Sequence, residues 1–158
     1  MESGWQGEAL EEGKNLMDIL VIDAQGGGIG RQLVSAIKKY FPGQLVTAVG
    51  TNSTAASAML KAGADEAATG ENAVKVCCRR ADLIIGPIGI VIADSLLGEI
   101  TPAMAVAVGQ SNAKRILIPI NHCDNYIVGV PDLSMAKLID SVIKEVGLHI
   151  RQAEGLSD

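Results

Sequence analysis

The residues best suited to binding chemistry lie in a glycine-rich segment near the start of the chain, Asp23-Ala-Gln-Gly-Gly-Gly-Ile-Gly30. When such a segment joins a strand to a helix, its backbone N–H groups can hold an anion, and glycine lets a ligand approach the backbone closely. The alternative is a tight turn in which the glycines serve packing alone. The candidate binding residues in this segment are Asp23, Gln25, Gly26, Gly27, Gly28, Ile29 and Gly30.

The glycine spacing separates several classes of phosphate-binding loop. A dinucleotide fingerprint that starts at Gly26 requires glycine at position 31, which is Arg31. The spacing of Ala24, Gly28 and Gly30 is similar to the loop of short-chain dehydrogenases, with alanine at the first glycine position. No lysine of the Walker type follows, so a P-loop is excluded.

The end of the second predicted strand lacks the usual determinant of ribose recognition. Dinucleotide-binding folds place an acidic residue there for NAD or an arginine for NADP, but residues 40–60 carry no charge. Thr51 and Asn52 are the available polar groups, and they either cap the next helix or hold a phosphate or hydroxyl there. We expect neither cofactor to bind with the usual selectivity. The Tyr-x-x-x-Lys of short-chain dehydrogenases is also absent, so redox catalysis of that type is not expected.

Asp23 complicates a simple phosphate site, because a carboxylate at the strand end repels a pyrophosphate unless a metal intervenes. It can instead accept hydrogen bonds from N–H groups of the loop. The loops of methyltransferases also follow an acidic residue. The glycine spacing and the missing acid after the second strand count against that class.

Further candidates follow the later strands, where the carboxyl ends of parallel strands share one edge of the sheet. They are Gly86, Pro87, Ile88, Gly89, Glu99 and Asn121. Glu99 is either a solvated turn residue or a base or ligand group. His122 and Cys123 are adjacent and point apart in extended backbone, which disfavours a nucleophile pair. The three cysteines show no C-x-x-C spacing, so no metal site is predicted.

Apolar patterns place these residues on alternating strands and helices. Short buried runs predict strands at residues 18–23, 45–49, 64–69, 82–86, 115–120 and 126–130. Helical spacing and capping residues predict helices at 29–40, 53–61, 71–80, 90–97 and 102–112, with a final amphipathic helix around 138–146.

This alternation predicts an α/β protein with a Rossmann-like, doubly wound sheet that is covered on both faces. With the strand order 3-2-1-4-5, the loops after the first and fourth strands face one crevice. The last strand, 126–130, follows its predecessor too closely for a parallel crossover, so we expect it to run antiparallel at one edge. We predict an N-terminal appendage at residues 1–16 and a single Rossmann-like domain at 17–158.

Composition narrows the class of partner. The chain has 158 residues, 48% of them hydrophobic and 3% aromatic, with a net charge of −5. These values exclude global disorder and argue against a nucleic-acid partner. The acidic start is unlike a signal peptide, and no apolar run is long enough to cross a membrane. We expect a cytoplasmic protein with reduced thiols.

Six sequence blocks in order resemble a known family. They are DAQGGGIG at 23–30, GTN at 50–52, MLKAGA at 59–64, TGEN at 69–72, GPIGI at 86–90 and GEITP at 98–102. The family consists of short bacterial proteins, largely from anaerobic Firmicutes, that are classed as a domain of unknown function. The resemblance spans about residues 17–146 and implies a Rossmann-like fold in a bacterial cytosol. It brings no established activity, and residues 1–16 depart from its pattern.

Together these features favour a small-molecule binding module, for a nucleotide or another phosphorylated ligand. The alternatives are an enzyme that uses the same crevice and an oligomeric structural or regulatory protein. No particular cofactor is indicated.

The sequence also predicts self-association. Residues 90–112 hold only Asp94 and Glu99 as charged groups, and the helix at 102–108 offers no polar face, so part of it would be exposed in a monomer. We expect a homodimer or a larger homo-oligomer. Cover by residues 1–16 is the rival explanation. Light scattering on a chain that starts at Met17 should still report a dimer or larger, and a stable, soluble monomer at micromolar concentration would contradict the prediction.

Overall fold

The computed structural model describes residues 16–120 and 125–156. It contains one sheet of five parallel strands in the order β3-β2-β1-β4-β5. The strands are β1 (Asp18–Asp23), β2 (Leu45–Gly50), β3 (Glu66–Thr69), β4 (Leu83–Pro87) and β5 (Lys114–Ile118). The predicted α/β class and strand order are confirmed.

The central strand β1 owes its position to an apolar run that can be buried on both faces. Ile19 and Val21 enter one core cluster, while Leu20 and Ile22 enter the other. β1 pairs with β2 along its whole length and with β4 on its other side. The chain segment after β1 therefore leaves the sheet at its middle, where the strand order changes direction.

Three helices cover the first face of the sheet. They are α1 (Gly28–Tyr40), α2 (Ser53–Lys61) and α5 (Met135–Ala153). α1 buries Leu33, Val34 and Ile37 against the sheet, in agreement with its apolar spacing. Lys38 and Lys39 lie in its last turn, where positive charge suits the helix dipole.

Two helices cover the second face, α3 (Glu71–Arg80) and α4 (Pro102–Gln110). α4 begins as its sequence predicts: the hydroxyl of Thr101 accepts a hydrogen bond from the N–H of Met104, and Pro102 takes the first helical position. Within the described ranges, no helix is both long enough and apolar enough to span a membrane.

The predicted helix at 90–97 is wrong. A 3₁₀ turn (Ile88–Val91) is followed by a series of turns up to residue 99. Asp94, Leu96 and Leu97 adopt positive φ angles of 63°, 54° and 57°, which an α-helix cannot accommodate. Leu96 is buried in the second core cluster, so tertiary packing overrides the apolar pattern here.

The predicted antiparallel edge strand at 126–130 is also wrong, because every strand of the sheet is parallel and these residues form coil and a turn. Tyr126 is 87% exposed and Val128 is 86% exposed. The alternating apolar residues therefore have no buried face to hold them in register. Gly129, at a φ of 80°, interrupts the extended backbone.

Candidate functional site

The candidate site lies at the carboxyl edge of the sheet, between β1 and β4. The loop after β1 leads into α1 on one face, and the segment after β4 leads to α4 on the other face. In parallel α/β sheets this divergence opens the crevice where ligands bind. The loop after β2 borders the same crevice.

Asp23 ends β1 and is buried, with 3% of its surface exposed. Its carboxylate accepts hydrogen bonds from the backbone N–H of Ala24 at 2.8 Å and of Gly30 at 2.6 Å. Burial raises the pKa of the carboxyl, and the N–H groups of Gly30, Ala24 and Ile29 act in the opposite direction. Asp23 therefore anchors the first turn of α1 to the end of β1.

Glu99 connects the loops at this edge. One carboxylate oxygen accepts from the backbone N–H of Gln25 at 3.0 Å. The other accepts from the Thr51 hydroxyl at 3.0 Å and from the Asn52 amide at 2.7 Å. The structure thus brings four sequence-predicted site residues together as a hydrogen-bonded cluster.

Asn52 completes this cluster. Its side-chain oxygen accepts from the N–H of Ala55 and caps α2, and its amide also donates to the carbonyl oxygen of Gln25 at 2.9 Å. The capping role considered for this position is therefore present. Each of its polar side-chain atoms has a protein partner.

Most glycines near the crevice serve close packing. A Cβ at Gly27 would lie 2.8 Å from the Ala55 Cα atom, and Gly27 has a φ of 71°. A Cβ at Gly50 would lie 2.4 Å from the Ala56 nitrogen, and one at Gly86 would lie 2.5 Å from the carbonyl oxygen of Ile22. These positions admit no side chain because backbone atoms occupy the space.

Gly26 and Gly28 are different. Both are exposed, and a Cβ built on either would meet no atom within 4 Å. Neither has a positive φ. Within the described part of the chain, nothing about packing or backbone conformation requires glycine at these two positions.

The hydrogen bonds of the loop show which N–H groups a ligand can use. Gly27 donates to the carbonyl oxygen of Ala24 at 3.0 Å, and Gly30 donates to Asp23. Among the described residues, no protein acceptor faces the N–H of Gly26 or Gly28. The available donors therefore belong to the two glycines whose Cα atoms are open to solvent.

The segment after β4 contributes less than its sequence suggests. Pro87 and Gly89 are buried, and Ile88 is half-buried. A Cβ at Gly89 would lie 3.1 Å from the hydroxyl oxygen of Ser95, which donates to the Gly89 carbonyl. The segment packs into the protein, and Ile90, which follows it directly, is part of the second core cluster. Asn121 lies outside the described residues.

The arrangement offers binding groups and few groups free for catalysis. The carboxylates of Asp23 and Glu99 are both occupied by protein donors. Over residues 16–120 and 125–156, no group of three or more His, Cys, Asp or Glu side chains could hold a metal ion.

Sequence reasoning missed a group of polar residues beside the glycine loop. Arg31 on α1 and Lys61 on α2 line an open groove together with the hydroxyl groups of Ser53, Thr54 and Ser57. A signal was present in the sequence, because residues 24–64 contain no Asp or Glu. Cations flank the uncharged stretch 40–60 on both sides: Arg31, Lys38 and Lys39 precede it, and Lys61 follows it.

The parallel order, the helices on both faces and the glycine loop at the switch point define a Rossmann-like α/β protein. A family model described as a domain of unknown function, DUF3842, matches residues 18–151, and the chain belongs to that family. No curated protein matches the chain. Membership of a domain-of-unknown-function family was expected from the six blocks and is confirmed.

The glycines of the loop should differ sharply in their tolerance of alanine. A Cβ at Gly30 would lie 2.5 Å from the Met59 sulfur and 2.8 Å from the Asp23 Cβ, so Gly30→Ala should destabilise the fold by about 1–3 kcal/mol. Gly28→Ala has open space and should be neutral or stabilising by up to about 1 kcal/mol. Urea unfolding of both variants measures the difference; equal losses would contradict the assignment.

The stability of the protein should depend on the ionisation of Asp23. Its pKa in the folded state lies above the usual 3.8, so the folded protein takes up a proton at higher pH than the unfolded chain. The resulting stabilisation is fully present at pH values below the pKa of Asp23 in the unfolded chain. It is lost as the pH rises through the pKa of Asp23 in the folded protein. The unfolding free energy of the wild type, minus that of Asp23→Asn, should therefore increase as the pH falls from 7 to 4.

Chemical denaturation at several pH values measures this difference. At pH 7, Asp23→Asn should cost about 1–3 kcal/mol, because an amide cannot accept from both N–H groups. The exposed Asp132→Asn serves as the control for pH effects that do not involve burial. A difference that stays constant or shrinks toward pH 4 would show that burial does not raise the pKa.

Proposed function

We propose that this protein is a small-molecule binding module that holds a phosphate group of its ligand, a nucleotide or another phosphorylated compound, against Gly26 and Gly28. The observation that carries the proposal is that both positions are exposed glycines with free N–H groups and with no structural demand for glycine. A ligand that must approach the backbone closely would explain why glycine occupies both positions.

The electrostatics of the loop support an anionic ligand. Gly28 is the first residue of α1, where the helix dipole adds partial positive charge. Of the two acids at this edge, Glu99 accepts from the N–H of Gln25, next to Gly26, and from the side chains of Thr51 and Asn52. Asp23 is turned into the protein and bound to N–H groups of its own turn. Its carboxylate is therefore shielded from an anion on the exposed side of the loop.

Binding is favoured over the two alternatives. An enzyme at this crevice needs a group that is free to act as a base or nucleophile. Both acidic residues at this edge, Asp23 and Glu99, have protein donors on each oxygen. A purely structural role accounts for Gly27, Gly30, Gly50 and Gly86. It does not explain why glycine occupies positions 26 and 28.

A bacterial, cytoplasmic setting and a homo-oligomeric state belong to the same proposal. The setting is supported by the resemblance of the six sequence blocks. Self-association is supported by Val106 on α4 and by Leu97, which is 97% exposed. An oligomer would cover these apolar side chains.

A thermal-shift screen with nucleotides, dinucleotides, S-adenosylmethionine and phosphosugars should identify a ligand. A ligand at 100 times its dissociation constant adds roughly 2.7 kcal/mol to the stability of the folded state. Gly28→Val should then lower affinity at least about tenfold, because its side chain would occupy the space beside the free N–H.

Gly43→Val is the matched control for that experiment. Gly43 is also exposed with open space around it, but it precedes β2 at the opposite edge of the sheet. Its variant should bind with unchanged affinity. Full affinity in a folded Gly28→Val protein would place the ligand elsewhere.

A further inference from the structure

The groove between α1 and α2 is lined by basic and hydroxyl-bearing residues. It has a volume of about 700 Å³ and is lined by Arg31 on one side and by Ser53, Thr54, Ser57 and Lys61 of α2 on the other. Binding sites for small molecules usually measure about 300–1,000 Å³. Among the described residues, no acidic side chain lines it.

The charges of this face are unusual for an acidic protein. Residues 24–64 contain Arg31, Lys38, Lys39 and Lys61 and no acid, although the whole chain carries −5. Lys38 is held by Asp65 at 3.0 Å. Within the described ranges, Arg31 and Lys61 form no ion pair. Lys39 also has no acidic partner there, and its Nζ lies 5.2 Å from the centroid of the Tyr40 ring. Of these three cations, Arg31 and Lys61 line the groove.

Helical spacing connects the groove to the glycine loop. Arg31 follows Gly28 by three residues, so the two lie on the same face of α1, and helical side chains lean toward the N-terminus. Ser53, Ser57 and Lys61 follow one another at intervals of four along α2. Hydroxyl groups and cations therefore extend from the glycine loop along one continuous surface.

We propose that the groove binds a second phosphate group, so that the ligand is a nucleotide phosphorylated at two separate positions. One phosphate lies against Gly26 and Gly28, as in the proposed function on which this inference rests. The other is bound by Arg31 and Lys61, with hydroxyl donors from α2. A groove of this volume has room for the nucleoside between them.

This assignment revises the expectation that the chain lacks a ribose determinant. That expectation rested on the uncharged residues 40–60. The structure supplies cations from the residues that flank this stretch: Arg31 precedes it on α1, and Lys61 ends α2 directly after it. A phosphate on the ribose is the group that such a pair would recognise.

Calorimetric titration of the full chain with three probes tests the proposal. The probes are adenosine 5′-monophosphate, adenosine 2′,5′-bisphosphate and adenosine 3′,5′-bisphosphate. At least one bisphosphate should bind about tenfold or more tightly than the monophosphate. The double variant Arg31→Gln/Lys61→Gln should lose that preference and keep its affinity for the monophosphate. The two bisphosphates distinguish a 2′-phosphate from a 3′-phosphate.

The double variant Lys39→Gln/Lys114→Gln is the matched control, because it removes two exposed positive charges away from the groove. It should keep the preference. Equal affinity of the wild type for all three probes would overturn the proposal. Equal losses in both double variants would do the same, because they would indicate a general effect of charge.

Amide chemical shifts during titration with inorganic pyrophosphate separate this inference from the proposed function. Shifts at residues 53–61 and at Arg31 support the groove, whatever happens at the glycine loop. Shifts confined to the groove would overturn the glycine-loop site, and with it the two-phosphate ligand, but would leave the groove as an anion-binding site. Shifts confined to Gly26 and Gly28 would overturn the groove alone, and no shift at either place would overturn both.

Discussion

The carboxylate of Asp23 is buried at the end of the central strand, and a buried carboxylate is tolerated only where donors reach it. The donors here are the N–H groups of Ala24 and Gly30, so the chain must turn back at once and begin α1 over the strand end. This approach leaves no room for a side chain at Gly30. The same turn directs the N–H of Gly27 inward to Ala24 and leaves those of Gly26 and Gly28 for solvent or a ligand. The need to satisfy the buried Asp23 carboxylate therefore determines which backbone N–H groups of the loop remain free for a ligand.

The Glu99 carboxylate likewise accepts hydrogen bonds from loops, but these loops are distant from it in sequence. Its two oxygens accept from Gln25, Thr51 and Asn52, so the segment after β4 is fastened to the loops after β1 and β2. The residues with positive φ angles before Glu99 turn the chain so that this carboxylate reaches the two loops. Because these polar groups are already paired with one another, internal hydrogen bonds hold the loops at this edge in place. Among the described residues of the glycine loop, the backbone donors left outside the cluster are the N–H groups of Gly26 and Gly28.

Sequence patterns correctly predicted the strands and helices whose structure depends on interactions between neighbouring residues. The apolar run of β1, the stripe of α1 and the Thr101-Pro102 start of α4 each carry their structure in adjacent residues. The failures share a physical cause: Leu96 is buried by tertiary packing in a conformation that no pattern indicates, and Tyr126 alternates with Val128 without a face to bury. The site divides in the same way. The glycine loop is contiguous and was predicted, whereas the groove joins Arg31 to Lys61 across two helices and exists only once α1 and α2 pack together.

The distribution of charge bears on what kind of anion this surface can accept. Outside residues 24–64 the chain is acidic, and at physiological ionic strength a charge is largely screened beyond about 8 Å. A small ligand that lies within the groove experiences Arg31 and Lys61 at close range and the distant acids only weakly. A nucleic acid would extend past the basic face and meet the acidic remainder at contact distance. The arrangement that would bind the proposed doubly phosphorylated small molecule would therefore disfavour a long polyanion, without any base-specific contact.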